Sequence, residues 1–155
     1  MIANCEITLA SPTDAINIAA LSRDTVEHGL HWSWTAHRVR RSLRDATTNV
    51  IVARHGSTLL GFAIMKYGEE EAHLLLLAVH AAWRRQGVGA ALLAWLEGTT
   101  HAAGIGLIRL ETRARNTSAR AFYGVHGFTE TGRQKGYYQG AEDAIRMAKS
   151  LRFRA

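Results

Sequence analysis

The chain is 155 residues long, the length of one ordinary domain with enough sequence to bury a sizeable core. Hydrophobic residues make up 47% and charged residues 21%, a folded globular composition that excludes a disordered chain and a coiled coil. The formal charge is +6, from 19 lysines and arginines against 13 acidic residues. That balance favours an anionic partner (nucleic acid, acidic protein or a phosphorylated cofactor) without choosing among them.

The apolar run over residues 74–79 is strand-sized, and no apolar run approaches the ~18 residues of a membrane span. The first residues carry no basic group ahead of an apolar stretch, so no secretory leader is expected. Cys5 is the single cysteine; it has no partner for an internal disulfide, and the cytoplasm is the expected compartment. There is no repeat, low-complexity segment or linker, and Pro12 is the only proline. Residues 1–155 therefore read as one domain.

Residues 6–10 read as a short strand. Ser11-Pro12-Thr13-Asp14 opens a helix, with Ser11 as cap, Pro12 at the first helical position and Asp14 completing a capping-box pattern. Residues 28–34 are irregular, and a second helix after Thr35 carries Arg38, Arg40, Arg41 and Arg44 on what reads as an exposed face. Residues 49–54 and 58–67 form a hairpin around His55-Gly56-Ser57. A solvated turn at Glu69-Glu70-Glu71 leads into a strand over 72–79. Val88, Leu92, Trp95, Leu96 and Thr99 then recur at helical spacing, and Gly104 offers a stop. A strand over 106–112, a short helix over 117–125, and two closing strands over 128–137 and 143–150 complete the order β α α β β β α β α β β. This is a mixed α/β (α+β) layer architecture.

The junction between strand 72–79 and the following helix is the first segment that carries chemistry. It reads Arg84-Arg85-Gln86-Gly87-Val88-Gly89-Ala90. The first-turn amides of a helix have no partner within it and sit at the positive end of its dipole, a ready site for phosphate. Gly87 and Gly89 have no side chain to block the approach. Neither a GxGxxG fingerprint nor a GxxxxGK[ST] loop is present. A tight strand–helix turn with an exposed arginine pair would give the same residues. His28-x-x-His31 has no third converging ligand, so no metal is expected. Cys5 reads as a small core residue.

The second segment runs Leu110-Glu111-Thr112-Arg113-Ala114-Arg115-Asn116, then Ala119, Phe122-Tyr123 and Gly127-Phe128. Together, R-x-x-G-x-G-A after a strand and N-x-x-A-x-x-F-Y-x-x-x-G-F resemble the GNAT superfamily of acetyl-CoA-dependent N-acetyltransferases, over roughly residues 5 to 150. The resemblance implies a mixed, mostly antiparallel central sheet flanked by helices. Arg133, Gly136-Tyr137-Tyr138 and Glu142-Asp143-Ala144-Ile145-Arg146-Met147 narrow it to the bacterial ribosomal-protein-alanine N-acetyltransferases, which acetylate a protein's N-terminal α-amine. Trp32-Ser33 is similar to that group's substrate loop. This chain departs from the group in two places: in the loop, His31 stands at the usual proline and Trp34 follows the serine, and after the strand His80-Ala81 stands at the usual Asp-Pro.

The resemblance implies that Leu77, Ala78 and Val79 lie along the pantetheine arm and acetyl group. Arg84, Arg85, Gln86, Gly87, Val88, Gly89 and Ala90 would hold the pyrophosphate. Asn116 would contact the cofactor, or else simply cap its helix. Tyr123 would be the general acid that protonates the departing thiolate; its plain reading is a packed helix tyrosine. Glu111 would be the general base, against a solvated strand glutamate. Trp32 and Tyr138 would face the acceptor. The expected partners are acetyl-CoA as cosubstrate and either a protein N-terminus or a small amine (polyamine, aminoglycoside or amino acid). No membrane and no specific nucleic acid are expected, and the molecule would be a monomer or homodimer. A non-catalytic nucleic-acid-binding domain rests on the +6 charge alone, and the two motifs argue against it.

Overall fold

The computed structural model describes residues 5–152. The readings that concern residues 1–4 and 153–155, including the absence of a leader, lie outside the described residues. Seven strands form one sheet: β1 (Glu6–Leu9), β2 (Thr48–His55), β3 (Thr58–Tyr67), β4 (Ala72–Val79), β5 (Leu107–Arg113), β6 (Thr129–Tyr138) and β7 (Glu142–Ser150). Their spatial order is β1-β2-β3-β4-β5-β7-β6. Every pairing is antiparallel except β4 with β5. Four helices flank the sheet: α1 (Ala15–Asp24), α2 (Ala36–Arg44), α3 (Val88–Ala102) and α4 (Thr117–Val125). The expected element order and fold class hold, with strand ends shifted by a residue.

The differences are two short 3-10 turns, at Pro12–Asp14 and Ala81–Trp83. The first precedes α1 because Asp14 is held from outside the helix: its carboxylate accepts the Ser11 N–H at 2.8 Å and pairs with Arg54 of β2. The second is capped by His80, whose Nδ1 accepts the Ala82 N–H at 3.2 Å. A ring nitrogen there does the capping an aspartate oxygen would do. The arginine face of α2 is only partly free. Arg41 and Arg44 are exposed, but Arg38 lies over the Trp34 ring at 3.8 Å. In the acidic turn, Glu71 is not merely solvated: it pairs with Arg109 at 2.8 Å. Cys5 is half-buried against the core.

Two cores lie on opposite faces of the sheet. One gathers Val88, Leu92, Leu93 and Leu96 of α3 with Ile108, Leu110, Ile145 and Met147; Tyr123 and Phe128 close its end. The other gathers Ile18, Leu21, Trp34 and Val39 with Val52, Phe62, Ile64, Leu76 and Ala78. A bulge divides β4 between them. Ile64 pairs with Leu76 while Met65 pairs with Leu74, so Leu75 is the extra residue. Before it, Ala72 and Leu74 face α3; after it, Leu76 and Ala78 face α1 and α2.

The parallel join is short. β4 pairs with β5 only through Ala72↔Ile108, His73↔Arg109 and Leu74↔Leu110. Beyond that the strands part, β4 staying with β3 and β5 with β7. The parting leaves one edge of residues 75–79 without a ladder partner. Gly61 allows β3 to stay close to β4 here, since a Cβ on it would lie 2.6 Å from the Ala78 carbonyl oxygen.

Candidate active site

A cleft of about 640 Å³ opens where β4 and β5 part. One wall is β4 from Leu74 to Val79, with Trp83, Arg84, Arg85 and the start of α3 from Gly87 to Ala90. The opposite wall runs from Leu110 to Arg113 of β5, then Asn116 and α4. Thr25, Val26 and Tyr138 close one end.

At the α3 end the backbone is exposed by design of the local sequence. Gly87 is the N-cap at φ 85°, a left-handed conformation that glycine adopts freely, and it supplies no capping side chain. The first-turn amides of α3 therefore face the cleft uncapped. Arg85 is also left-handed, at φ 61°, a conformation an L-residue holds only when its surroundings impose it. Arg84 Nε reaches back to the Val79 carbonyl at 3.4 Å. Gly89 lets α4 approach, because a Cβ there would lie 3.2 Å from the Phe122 ring. Asn116 caps α4, its Oδ1 accepting the Ala119 N–H at 3.1 Å, while also lining the cleft.

Tyr123 lines the same cleft and is 7% exposed. Phe122 and Phe128 hold its ring edge-on, at centroid distances of 5.2 and 5.5 Å. Burial pushes its phenol well above the ordinary tyrosine value, so it keeps its proton. Tyr138 also lines the cleft, stacked edge-on with Tyr137 at 4.9 Å.

Glu111 lines the cleft from β5, and its side chain is 9% exposed. Its Oε1 meets His73 Nε2 at 2.6 Å and accepts the Tyr137 hydroxyl at 3.2 Å; its Oε2 accepts Arg109 Nη1 at 3.2 Å. Burial pushes this carboxyl up, but His73, Arg109 and the Tyr137 hydroxyl outweigh it and hold the group below the usual glutamate value. Glu111 is thus an ionised carboxylate at the cleft wall, not a solvated strand glutamate.

The loop between α1 and α2 is fixed to this end of the cleft by side chains the motifs do not single out. Glu27, 6% exposed, accepts the N–H groups of Ser33 and Trp34 and the hydroxyls of Ser22 and Ser33. Arg113, buried on β5, pairs with Glu142 and donates to the carbonyls of Val26 and His28, at 3.3 and 2.6 Å. Gln139, left-handed at φ 58°, clasps the His31 peptide both ways: its Oε1 accepts the His31 N–H at 2.8 Å and its Nε2 donates to the His31 carbonyl at 2.7 Å.

The cleft therefore brings together Leu77, Ala78, Val79, Arg84, Arg85, Gly87, Val88, Gly89, Ala90, Glu111, Asn116, Tyr123 and Tyr138. Gln86 and Trp32 stand outside its lining. Trp32 packs toward the α1 side with Arg23 5.5 Å above its ring, and its Nε1 is buried without a hydrogen-bond partner. Sequence reasoning passed over His73, Glu27, Arg113 and Gln139. Of these only His73 left a signal, as a polar residue inside an apolar strand. Among the described residues no group of three or more His, Cys, Asp or Glu side chains is placed to hold a metal ion, and no helix is long and apolar enough to cross a membrane.

Residues 18–151 match the family model described as Acetyltransferase (GNAT) domain. The [ribosomal protein bS18]-alanine N-acetyltransferase of Escherichia coli (strain K12) is 33% identical over 127 residues, spanning 79% of this chain and 85% of that protein. The crystal structure of the E. coli ribosomal-protein-S18-alanine N-acetyltransferase superposes with a TM-score of 0.79 at 30% identity, covering 97% of this chain and 96% of that one. The structure of Ard1 from Thermoplasma volcanium gives a TM-score of 0.86 at 25% identity, covering 97% and 100%. The two motifs, the parted strands and these matches agree: the chain belongs to the GNAT family and is an acetyl-CoA-dependent N-acetyltransferase.

Proposed function

We propose that this enzyme acetylates the N-terminal α-amine of a protein, with a ribosomal protein as the substrate class, and that Glu111 is its base and Tyr123 its acid. The observation that carries the reading is that an ionised, buried carboxylate and a protonated, buried phenol line one cleft. The relatives named for ribosomal-protein alanine acetylation support the acceptor class.

The chain's residues fit acetyl-CoA in three ways. The open edge of β4 at Leu77, Ala78 and Val79 offers N–H and C=O groups to an extended arm. The uncapped amides from Gly87 to Ala90, with Arg84 and Arg85, suit a pyrophosphate. Asn116 stands at the start of α4 beside them. The Gln86 role and the Trp32 role rest on the resemblance alone.

Glu111 takes a proton from the incoming ammonium, the lone pair this frees bonds to the thioester carbon, and the second proton that the nitrogen sheds passes to solvent, from which Tyr123 is reprotonated after each turnover. The C–S bond breaks, and Tyr123 gives its proton to the departing thiolate sulfur. The products are an acetylated amine and a free thiol, with no covalent enzyme intermediate. A carboxylate suffices as base because an α-amine has an unperturbed pKa of ~7.8 against ~10.4 for lysine, about 3.5 kcal/mol easier to deprotonate near neutrality. The place of action is the cytoplasm, in keeping with the lone thiol Cys5.

A small-amine acceptor is the second reading, favoured by His31 at the usual proline and by the clasp this creates. Thiol release with acetyl-CoA and two panels, N-terminal peptides and small amines, separates the two. Turnover confined to small amines overturns the protein reading.

A further inference from the structure

The Glu111 carboxylate is held from behind by a residue that no part of the reaction above assigns. His73 sits on β4 in the last stretch that still pairs with β5, opposite Arg109. The bulge at Leu75 lies beyond it, so Ala72 and Leu74 turn toward α3 while His73 turns to the other face, where Glu111 also lies. Its Nε2 is 2.6 Å from Glu111 Oε1, shorter than the usual charge-assisted N–H···O contact. With Glu111 ionised, the shared proton belongs on Nε2, so the ring donates. Glu111 lines the cleft and His73 does not. The histidine is also the more open of the two, 21% exposed against 9%.

We propose that His73 is a positioning residue: acting only through Glu111, it fixes Oε1 and keeps the carboxylate ionised and ready to take the amine's proton. The inference rests on the reading of Glu111 as the base. His73 does not act alone. Arg109 of β5 and Tyr137 of β6 also hold the carboxylate, Tyr138 adds a tyrosine nearby, and Arg146 of β7 is its cross-strand neighbour. His73 itself faces Lys66 of β3, which is engaged by Asp45, and Arg109, which is engaged by Glu71. Removing the histidine therefore loosens the carboxylate without taking all its partners away.

The sign of the effect follows. His73 contributes to lowering the Glu111 carboxyl against the opposing push of burial. Without it the carboxyl titrates at higher pH, and activity, which needs the ionised form, is lost sooner as pH falls. The test is kcat against pH for His73→Leu, His73→Asn and His73→Gln, with acetyl-CoA affinity measured for each. His73→Leu should lower kcat near neutrality by about tenfold, less than the ~10²-fold or more that a positioned base supplies. The acid limb should move to higher pH, with acetyl-CoA affinity unchanged. His73→Asn, polar but too short to reach Oε1, should do the same and serves if the leucine variant does not fold. His73→Gln, with a donor at the right distance, should restore both kcat and the acid limb. A parental pH profile in the leucine and asparagine variants, with Glu111→Gln still impaired, overturns this inference alone. Full activity in Glu111→Gln overturns the base itself.

Discussion

On the proposed reading, the donor end of the cleft presents backbone and the acceptor end presents side chains drawn from distant parts of the chain. The donor end comprises the unpaired edge of β4, the left-handed Arg85 and Gly87, and the uncapped start of α3, all within residues 75–90. The acceptor end comprises Glu27, His31, His73, Glu111, Arg113, Gln139 and Glu142, tied by contacts that span up to 108 positions. A ligand of fixed structure can be met by peptide groups, which do not vary with sequence. An acceptor that differs between enzymes is met by side chains, which do. Substitutions at the two ends should accordingly fail in different ways.

The largest effect is expected at the donor end. Gly87→Glu places a carboxylate where an anion should bind and forces an L-residue to φ 85°. Calorimetry should show acetyl-CoA binding abolished. Parental affinity would mean that the amides of α3 are not the cradle and that the donor end is not built from backbone.

Next comes Tyr123→Phe, which keeps the ring between Phe122 and Phe128 and removes only the hydroxyl. We expect kcat to fall roughly 10²–10³-fold with little change in KM for acetyl-CoA, because the proton is needed only as the thiolate leaves. Raising the pH supplies no donor and should not restore the rate. The Glu111→Gln loss, by contrast, should shrink in alkaline buffer as the α-amine, with an unperturbed pKa of ~7.8, deprotonates unaided. A constant Glu111→Gln loss across the titration would make Glu111 a positioning group.

Arg113→Met tests the acceptor end. The side chain is 9% exposed, and its removal leaves two loop carbonyls without their donor and Glu142 with Arg115 at 3.4 Å. Thermal unfolding should show a loss of about 3 kcal/mol, and acceptor KM should rise while acetyl-CoA affinity holds. Equal damage to both ligands would erase the distinction between the ends.

The smallest effect is expected from Gln139→Ala. It breaks only the exposed clasp on His31, so stability should change by less than about 1 kcal/mol. Acceptor KM should rise roughly two- to fivefold at unchanged kcat. An unchanged KM across the peptide panel would show that the clasp does not shape the entrance.

The turn into α3 was legible in the sequence because its logic is local. Glycines and arginine at R-x-x-G-x-G spacing after an apolar strand dictate a turn and a helix start with no help from the rest of the chain. The order of elements along the chain followed from the same kind of local signal: period, turn residues and helix stops. The acceptor end was not legible in this way. His73 and Glu111 lie 38 positions apart, and His31 and Gln139 lie 108 apart; nothing in either local pattern announces its partner. Trp32 shows the limit most directly. Its identity matched a substrate loop, yet its ring packs toward α1 beneath Arg23, because loop backbone, and not residue type, decides which way an indole turns. The departure at residue 31 was visible, but its meaning needed the fold. A proline there has no N–H, whereas His31 supplies the one that Gln139 accepts.

The extra residue in β4 acts on the strand as a change of phase. An unbroken strand alternates its side chains strictly, so a face once assigned persists to the end. Leu75 shifts that count by one. Upstream, odd-numbered His73 therefore stands with Glu111, while downstream, odd-numbered Leu77 and Val79 stand with the α3 core. Deleting Leu75 would leave composition and length nearly untouched. It would also exchange the two faces on one side of the gap, sending either the histidine into hydrocarbon or the donor-side leucine and valine toward α1. One leucine with no chemistry of its own thus keeps the Glu111-facing and α3-facing halves of a single strand in register with their separate partners.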